Sequence, residues 1–265
     1  MTVTHGFVDV DGTTIHFVET GTGVPVLLLH QTPRSWDEYR DVLPLVGERR
    51  RAIAMDTAGF GDSQRLPAGT DSIERWAEIA VGLLDALGLP EAAVVGHHTG
   101  GYVATELAAA HPARVSALVL SGVALHARED RLAHAAGRAV VDDVDASLDG
   151  SHLLELWRMR APLYPPDVSL LERFMRDCLR AGDLAAEGHR VVARYPLDER
   201  VGLVTCPTLL VAPLADAYAF PAVPGLDAAI PHAKVTPIPG GMVPLPDQLP
   251  DAFAAAVNDF LDELG

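Results

Sequence analysis

Val94-Val95-Gly96-His97-His98-Thr99-Gly100-Gly101 is the stretch that decides how this chain is read. With Ala92-Ala93 before it, the run begins as a short apolar segment and ends abruptly in small residues. Such a run suits a strand buried on both faces of a sheet. The residues after it, from about Thr99 to Ala110, read as a helix rich in small side chains. A strand that turns at once into a helix brings two backbones close together, which glycine permits and a side chain obstructs. Gly96 and Gly100 flank the turn, and His98 between them is pushed out at the strand's C-terminal edge. The amides that open the helix point to the same space and favour negative charge there.

Further elements extend from this turn in both directions. Phe7 to Val10, Asp11-Gly12 and Thr13 to Val18 read as a β-hairpin, because Asp-Gly between alternating apolar residues supplies the required turn. Val26 to Leu29, Arg51 to Met55, Val115 to Leu120, Thr208 to Val211 and Lys234 to Ile238 read as strands. A helix opens at Asp71-Ser72-Ile73-Glu74, which has capping-box spacing, and Gly88 ends it after Leu87. A last amphipathic helix runs from about Pro250 to Leu264. Alternating strands and helices predict an α/β fold with a mostly parallel, doubly wound sheet. Residues 126–196 interrupt the pattern with helical periods and no clear strand, including a capping box at Ser169 to Glu172. The expected organisation is a core of residues 1–125 and 197–265 with a small helical cap over 126–196.

Composition bounds the partners. A formal charge of −16 repels phosphate backbones and anionic membrane surfaces, so nucleic acid is not an expected partner. No apolar run approaches a membrane span. No signal peptide is visible, and Cys178 and Cys206 lack metal or redox spacing, so free thiols in a cytoplasmic protein are expected. The expected partner is a small-molecule substrate, with a second copy of the chain as an alternative of self-association.

The combination of motifs resembles the α/β-hydrolase superfamily over nearly the whole chain. Gly96-His97-His98-Thr99-Gly100 matches the nucleophile elbow, G-x-Nu-x-G. Leu28-Leu29-His30-Gln31-Thr32-Pro33 matches the oxyanion-loop region, often His-Gly-x-Pro in relatives. Asp56 to Ser63 matches a D-x-x-G-x-G-x-S stretch. Asp216 falls where the acid of the triad lies, and Pro239 to Pro244 where the catalytic histidine lies. The resemblance implies the fold, but two departures bear on the activity. His98 occupies the nucleophile position in place of Ser, Cys or Asp, and Met242 occupies the histidine position. A thioether cannot serve as the base of a Ser-His-Asp mechanism.

The two departures form one coupled change if the imidazole has moved from position 242 to position 98. Histidine reaches roughly 2 Å farther from its Cβ than serine, given bond lengths near 1.5 Å. His98 and Asp216 are the expected catalytic pair, with Met242 filling vacated volume. Backbone amides near Gln31, Thr32 and Thr99 are expected to form the oxyanion pocket, with His30 beneath it. Tyr102 and Trp157 are expected to contact substrate, and Trp36, Met159 and Tyr164 are further candidates; Arg34 could bind a substrate carboxylate, but a surface ion pair is its expected role. His126, His134, His152 and His189 read as surface or packing residues, since none has metal-ligand spacing. No metal or cofactor is expected. Three functions remain open: hydrolysis by a His–Asp general base, elimination, isomerisation or cyclisation by the same base, and ligand binding without turnover.

Overall fold

The computed structural model describes residues 2–125, 128–129 and 140–265. Its eight strands form one sheet in the order β1-β2-β4-β3-β5-β6-β7-β8. β1 (Thr4–Val10) and β2 (Thr13–Thr20) make the expected antiparallel hairpin. Asp11 and Gly12 have φ of 51° and 80°, the left-handed pair that a two-residue turn between twisted strands requires. β2 pairs antiparallel with β4 (Arg51–Met55). β4 and the remaining strands, β3 (Pro25–Leu29), β5 (Ala92–His97), β6 (Val115–Ser121), β7 (Thr208–Pro213) and β8 (Lys234–Ile238), are parallel throughout.

The central strands are continuous in apolar residues because both faces are covered. Leu27, Leu29, Val94 and Leu118 face one core, which α2 (Ile73–Ala86) and α3 (Thr99–Ala110) close with Trp76, Leu83 and Leu107. Val26, Leu28, Val95 and Val119 face the other, which α1 (Val42–Gly47) and the C-terminal helix Pro250–Asp262 close. The period-two alternation of a strand therefore splits one apolar run between two cores.

Within residues 140–196 the described chain forms α4 (Ser151–Arg160), α5 (Val168–Ala181) and α6 (Leu184–Arg194), with no strand. After it come α7 (Leu197–Arg200), α8 (Val223–Ala229), α9 (Leu245–Gln248) and α10 (Pro250–Asp262). Two caps differ from the sequence expectation. Ser72, not Asp71, caps α2 by accepting from the Arg75 amide, while Asp71 takes the Trp76 indole N–H. α5 starts one residue before Ser169, so Asp167 is its cap and accepts from the Ser169 amide. Among the described residues no helix is long and apolar enough to cross a membrane. Cys178 and Cys206 are free.

Arg34 is not a surface ion pair. It is fully buried, and its Nε lies 2.9 Å from Asp177, its Nη2 3.3 Å from Asp37, and its Nη1 bonds Asp247. Arg173 adds bonds to Asp37 and, at 2.8 Å, an ion pair with Asp247. The cluster ties the loop after β3 to α5 and α9. Removing one partner of such a cluster leaves charge buried without compensation, which costs more than the intact pair contributes. Arg34→Met should therefore lower the unfolding free energy by about 3–5 kcal/mol, read from urea titration.

Candidate active site

The turn between β5 and α3 places His98 at φ 44°, ψ −115°, a conformation that costs an ordinary side chain energy. Close packing holds it there. A Cβ added at Gly100 would meet the Leu29 carbonyl oxygen at 1.9 Å, and one at Gly96 would meet the Gly100 oxygen at 2.3 Å. The glycines therefore let α3 sit directly against β5 and β3, and the turn has one way to close.

His98 reaches Asp216 as the coupled change requires. Nε2 of the ring lies 3.0 Å from Asp216 Oδ2, and the carboxylate side chain is fully buried. The pair is off the line of a hydrogen bond, so neither atom has an aligned partner among the described residues. Contact at this distance still acts through charge. Asp216 Oδ1 accepts from the amides of Tyr218 at 2.9 Å and Ala219 at 3.0 Å, which aims Oδ2 at the ring. Burial pushes the Asp216 carboxyl up, but His98 and the two amides outweigh it and hold the group below its ordinary range. Gly122 makes the room. A Cβ there would lie 2.7 Å from both Cδ2 and Nε2 of His98. With that edge packed against Gly122 and Asp216, the opposite edge carries Nδ1, which has no partner among the described residues.

His97 has a different role. Its Nε2 lies 2.8 Å from the Val243 carbonyl, and its Nδ1 lies 3.1 Å from the Ser121 hydroxyl. Burial, reinforced by the neighbouring His98, holds its pKa well below the ordinary value and keeps the ring neutral. A single ring proton, on Nε2, then satisfies both contacts.

A cavity of about 400 Å³ opens beside His98. Gln31, Thr32, Thr99 and Tyr102 are among its walls. Trp157 and Met242 are not among its walls, and these two expectations are corrected; His30, expected beneath the loop, is not a wall either. His30 is buried behind the loop, 2.8 Å from the Gln31 carbonyl and 3.0 Å from the Thr57 amide. Trp157 packs against the core on the α2 and α3 side. Met242 sits on the loop after β8, where its amide donates to Gln248, and Val243 supplies the apolar wall instead. Trp36, Met159 and Tyr164 are likewise not walls of the cavity; Trp36 stacks edge-on with His5, Met159 sulfur accepts from the Asp142 amide, and Tyr164 packs on Phe174.

Of the backbone amides expected to face an oxyanion, one is already taken. The Gln31 backbone amide donates to Glu38 at 2.9 Å and is not available to a ligand, and one N–H of its side chain donates to the same carboxyl group at 2.5 Å. The Thr99 amide opens α3 and has no intrahelical acceptor, as the first amides of any helix. The Thr32 and Thr99 hydroxyls bond each other at 2.9 Å across the two loops. The Asp56 stretch is scaffold. Asp56 accepts from the Trp36 and Asp62 amides and from His16 Nδ1 at 2.7 Å.

The sequence did not point to the walls from the helical segment. Arg160, His189 and Tyr195 line the same cavity as His98, and Tyr218 stacks on the His98 ring at 6.4 Å. His189 was expected at the surface or in packing, but it faces the cavity and lies 3.1 Å from Asp142. His152 bonds Ser147, and His126 and His134 lie outside the described residues. Proximity to Asp216 was the one sequence signal for Tyr218. A helical position without a motif gave none for His189.

Residues 24–185 match the family model described as alpha/beta hydrolase fold, and the chain belongs to that family. It is 39% identical over 109 residues to the 2-hydroxymuconate semialdehyde hydrolase of Pseudomonas sp. (strain CF600), covering 40% of this chain and 38% of that one. It is 37% identical over 102 residues to the soluble epoxide hydrolase of Corynebacterium sp. (strain C12), covering 38% and 35%. The matched stretch thus spans well under half the length of these relatives. The fold is similar to that of the enol-lactonase from Burkholderia xenovorans LB400, with a TM-score of 0.80 at 20% identity over 97% of this chain and 100% of that one. It is also similar to a thermophilic esterase from Thermogutta terrifontis, with a TM-score of 0.81 at 24% identity over 98% and 99%.

Two outcomes follow from this geometry. Gly122→Ala should move the NMR signals of the His98 ring and cost about 1–2 kcal/mol for the left-handed backbone alone. Gly240→Ala, also at positive φ but with open space around it, should carry the backbone cost without moving those signals. For Asp142, burial pushes the carboxyl up, but His189 and Arg160 outweigh it and hold the group at about 2. A depressed acid contributes stability fully above its unfolded pKa of about 3.9 and loses it as the pH falls through the folded value. The stability difference between wild type and Asp142→Asn should therefore be flat above about pH 5 and shrink toward pH 2, measured by urea unfolding across that window.

Proposed function

We propose that this protein is a hydrolase of small esters or lactones in which His98, braced by Asp216, activates water directly. The observation that carries this reading is the 3.0 Å contact between His98 Nε2 and Asp216 Oδ2, made by a ring whose other nitrogen has no partner among the described residues. With its proton on Nε2, the ring keeps a lone pair on Nδ1, and the adjoining cavity gives a substrate access to it. A carboxylate partner stabilises the imidazolium that forms when Nδ1 takes a proton.

The reaction runs in two stages. Nδ1 takes a proton from water while the water oxygen bonds to the substrate's carbonyl carbon. The carbonyl oxygen becomes an oxyanion beside the Thr99 amide at the start of α3, where an N–H and the helix dipole favour negative charge. The carbon–oxygen bond to the leaving group then breaks with its electron pair on oxygen, and that oxygen receives the proton from His98. The chain supplies base, carboxylate and amide itself, so this chemistry draws on no cofactor.

A direct attack by water also fits the hydroxyls nearby. Ser121 is buried with its oxygen at the His97 ring, and Thr32 and Thr99 bond each other. All three hydroxyls are thus already engaged by other side chains. Residues 126–196 act in this reading as a cap, and their described part supplies Leu163 and Val192 to a largely apolar pocket sized for a small molecule. The relatives are in keeping with this class, since their names describe hydrolases and an enol-lactonase.

Short aryl esters and enol lactones offered to the purified chain in ¹⁸O water should give acids carrying the solvent label. His98→Ala should lower the rate by about 10²–10⁴-fold, with Asp216→Asn also impaired. A fluorophosphonate should label no seryl residue. Turnover that survives His98→Ala, or product formed without solvent oxygen, would count against hydrolysis by this base, the second outcome favouring elimination.

A further inference from the structure

The loop after β3 and the start of α3 meet at two hydroxyls. Thr32 Oγ1 lies 2.9 Å from Thr99 Oγ1, and both residues line the cavity. Thr32 is 2% exposed and Thr99 5%, so the pair is withdrawn from bulk water. Each hydroxyl has one hydrogen to give and can accept two. The bond between them engages both oxygens but uses only one of the two hydrogens. The other hydrogen has no acceptor among the described residues. A buried O–H left in that state costs free energy, whereas apolar groups of the same shape at both positions would avoid the cost. Two threonines kept at this place therefore point to an acceptor that arrives with a ligand.

Packing bears on which hydrogen is left over. Gly188, on α6, lies directly against Thr32. A Cβ added there would be 2.7 Å from Thr32 Cγ2, 2.9 Å from its Cβ and 3.1 Å from its Oγ1. The helix backbone thus encloses the Thr32 side chain, and the Thr99 oxygen is the acceptor open to its hydrogen among the described residues. With Thr32 as donor, the free hydrogen belongs to Thr99. Thr99 follows His98 directly and opens α3, so its hydroxyl and its amide start from one residue at the helix N-terminus. The Gln31 amide, expected at the same place, is given to Glu38.

We propose that Thr99 is a second catalytic residue, whose Oγ1–H donates a hydrogen bond to the substrate's carbonyl oxygen as that oxygen becomes negative. The proposal rests on the hydrolytic reading above. As the water oxygen bonds to the carbonyl carbon, the π pair of the carbonyl moves onto its oxygen and the water proton passes to His98. A hydrogen bond to an ion is shorter and stronger than one to a neutral carbonyl, so the hydroxyl favours this state over the ground state. When the bond to the leaving oxygen breaks, the carbonyl re-forms and the proton from His98 goes to the leaving oxygen. Thr99 loses no proton, and the balance is ester plus water to acid plus alcohol. Thr32 is a positioning residue: by donating to Thr99 it holds that hydroxyl in place and polarises its O–H.

The test compares Thr99→Val, Thr99→Ser, Thr32→Val and the double variant Thr32→Val/Thr99→Val with wild type on the ester and lactone panel. Melting curves first establish that each is folded; the double variant, which removes both hydroxyls at once, should melt near wild type. Thr99→Val should lose roughly 10²-fold in kcat with KM little changed, as expected for a donor to charge developing in the transition state. Thr99→Ser keeps the O–H and should recover most of that loss. Thr32→Val should lose less, and should cost nothing further in the Thr99→Val background, because it acts through Thr99. An aryl phosphonate monoester carries the charge and shape of the tetrahedral state. Its affinity should fall in Thr99→Val by about the fold-change seen in kcat/KM, which a merely structural role would not produce. Full kcat in Thr99→Val, a change confined to KM, a larger loss in Thr32→Val than in Thr99→Val, or an acyl group trapped on Thr99 would overturn the assignment. Turnover that depends on His98 but not on Thr99 would remove this inference and leave the hydrolytic reading standing. Absence of turnover across the panel would remove both.

Discussion

The turn from β5 into α3 fits together only because two glycines allow backbone to touch backbone and a third leaves room for a neighbouring side chain. Gly100 lies so near the Leu29 carbonyl that a methyl group would overlap it, Gly96 is as close to Gly100, and Gly101 is pressed against Val123. Those contacts force His98 into a left-handed conformation that an L side chain resists. The rest of the site is built around that forced direction. Gly122 leaves space for the ring, Asp216 receives its Nε2 edge, and the Tyr218 and Ala219 amides turn the carboxylate toward it. A local strain of this kind persists when the surrounding packing over-determines it, and two separate cores do so here.

Charge organises the molecule at two further places. Around Arg34, buried carboxylates from the β3 loop, α5 and α9 meet one guanidinium, which joins the helical segment to the sheet. Around Arg160, a second guanidinium and Asp142 bring His189 to the cavity wall. Both clusters carry the desolvation cost of buried ions. The first recovers it as attachment between layers. The second stands against the cavity. The site therefore has an imidazole on the sheet side and another on the helical side, each with a neighbouring aspartate.

Much of the fold was legible because its elements announce themselves locally. The Asp11-Gly12 turn, the strands Arg51–Met55 and Lys234–Ile238 and the helix Thr99–Ala110 all stand where periodicity and turn residues put them. The capping residues shifted by one or two positions, because Ser72 and Asp167 had the better geometry for the first free amides. The pairing of His98 with Asp216 could be anticipated from chemistry. A histidine gained at one position and absent from another suggested one imidazole that had moved. Loops were harder to read. Met242 and Val243 are neighbours, and only the path of the chain after β8 decides which of them faces the cavity. Gln31 gives its amide to Glu38, a residue that nothing in the loop's own sequence marks as its acceptor.

By itself, the sequence determined the order of strands and helices and the direction in which position 98 projects. Those features depend on periodicity, on glycine's missing Cβ and on contacts between residues close in the chain. Tertiary structure decided which groups share the cavity. His98 and Asp216 are separated by more than a hundred residues, and His189 comes from a helix that carries no local signature of a site. Whether such side chains meet depends on how the layers pack and which charges must be neutralised where they touch, and that is a property of the whole folded chain.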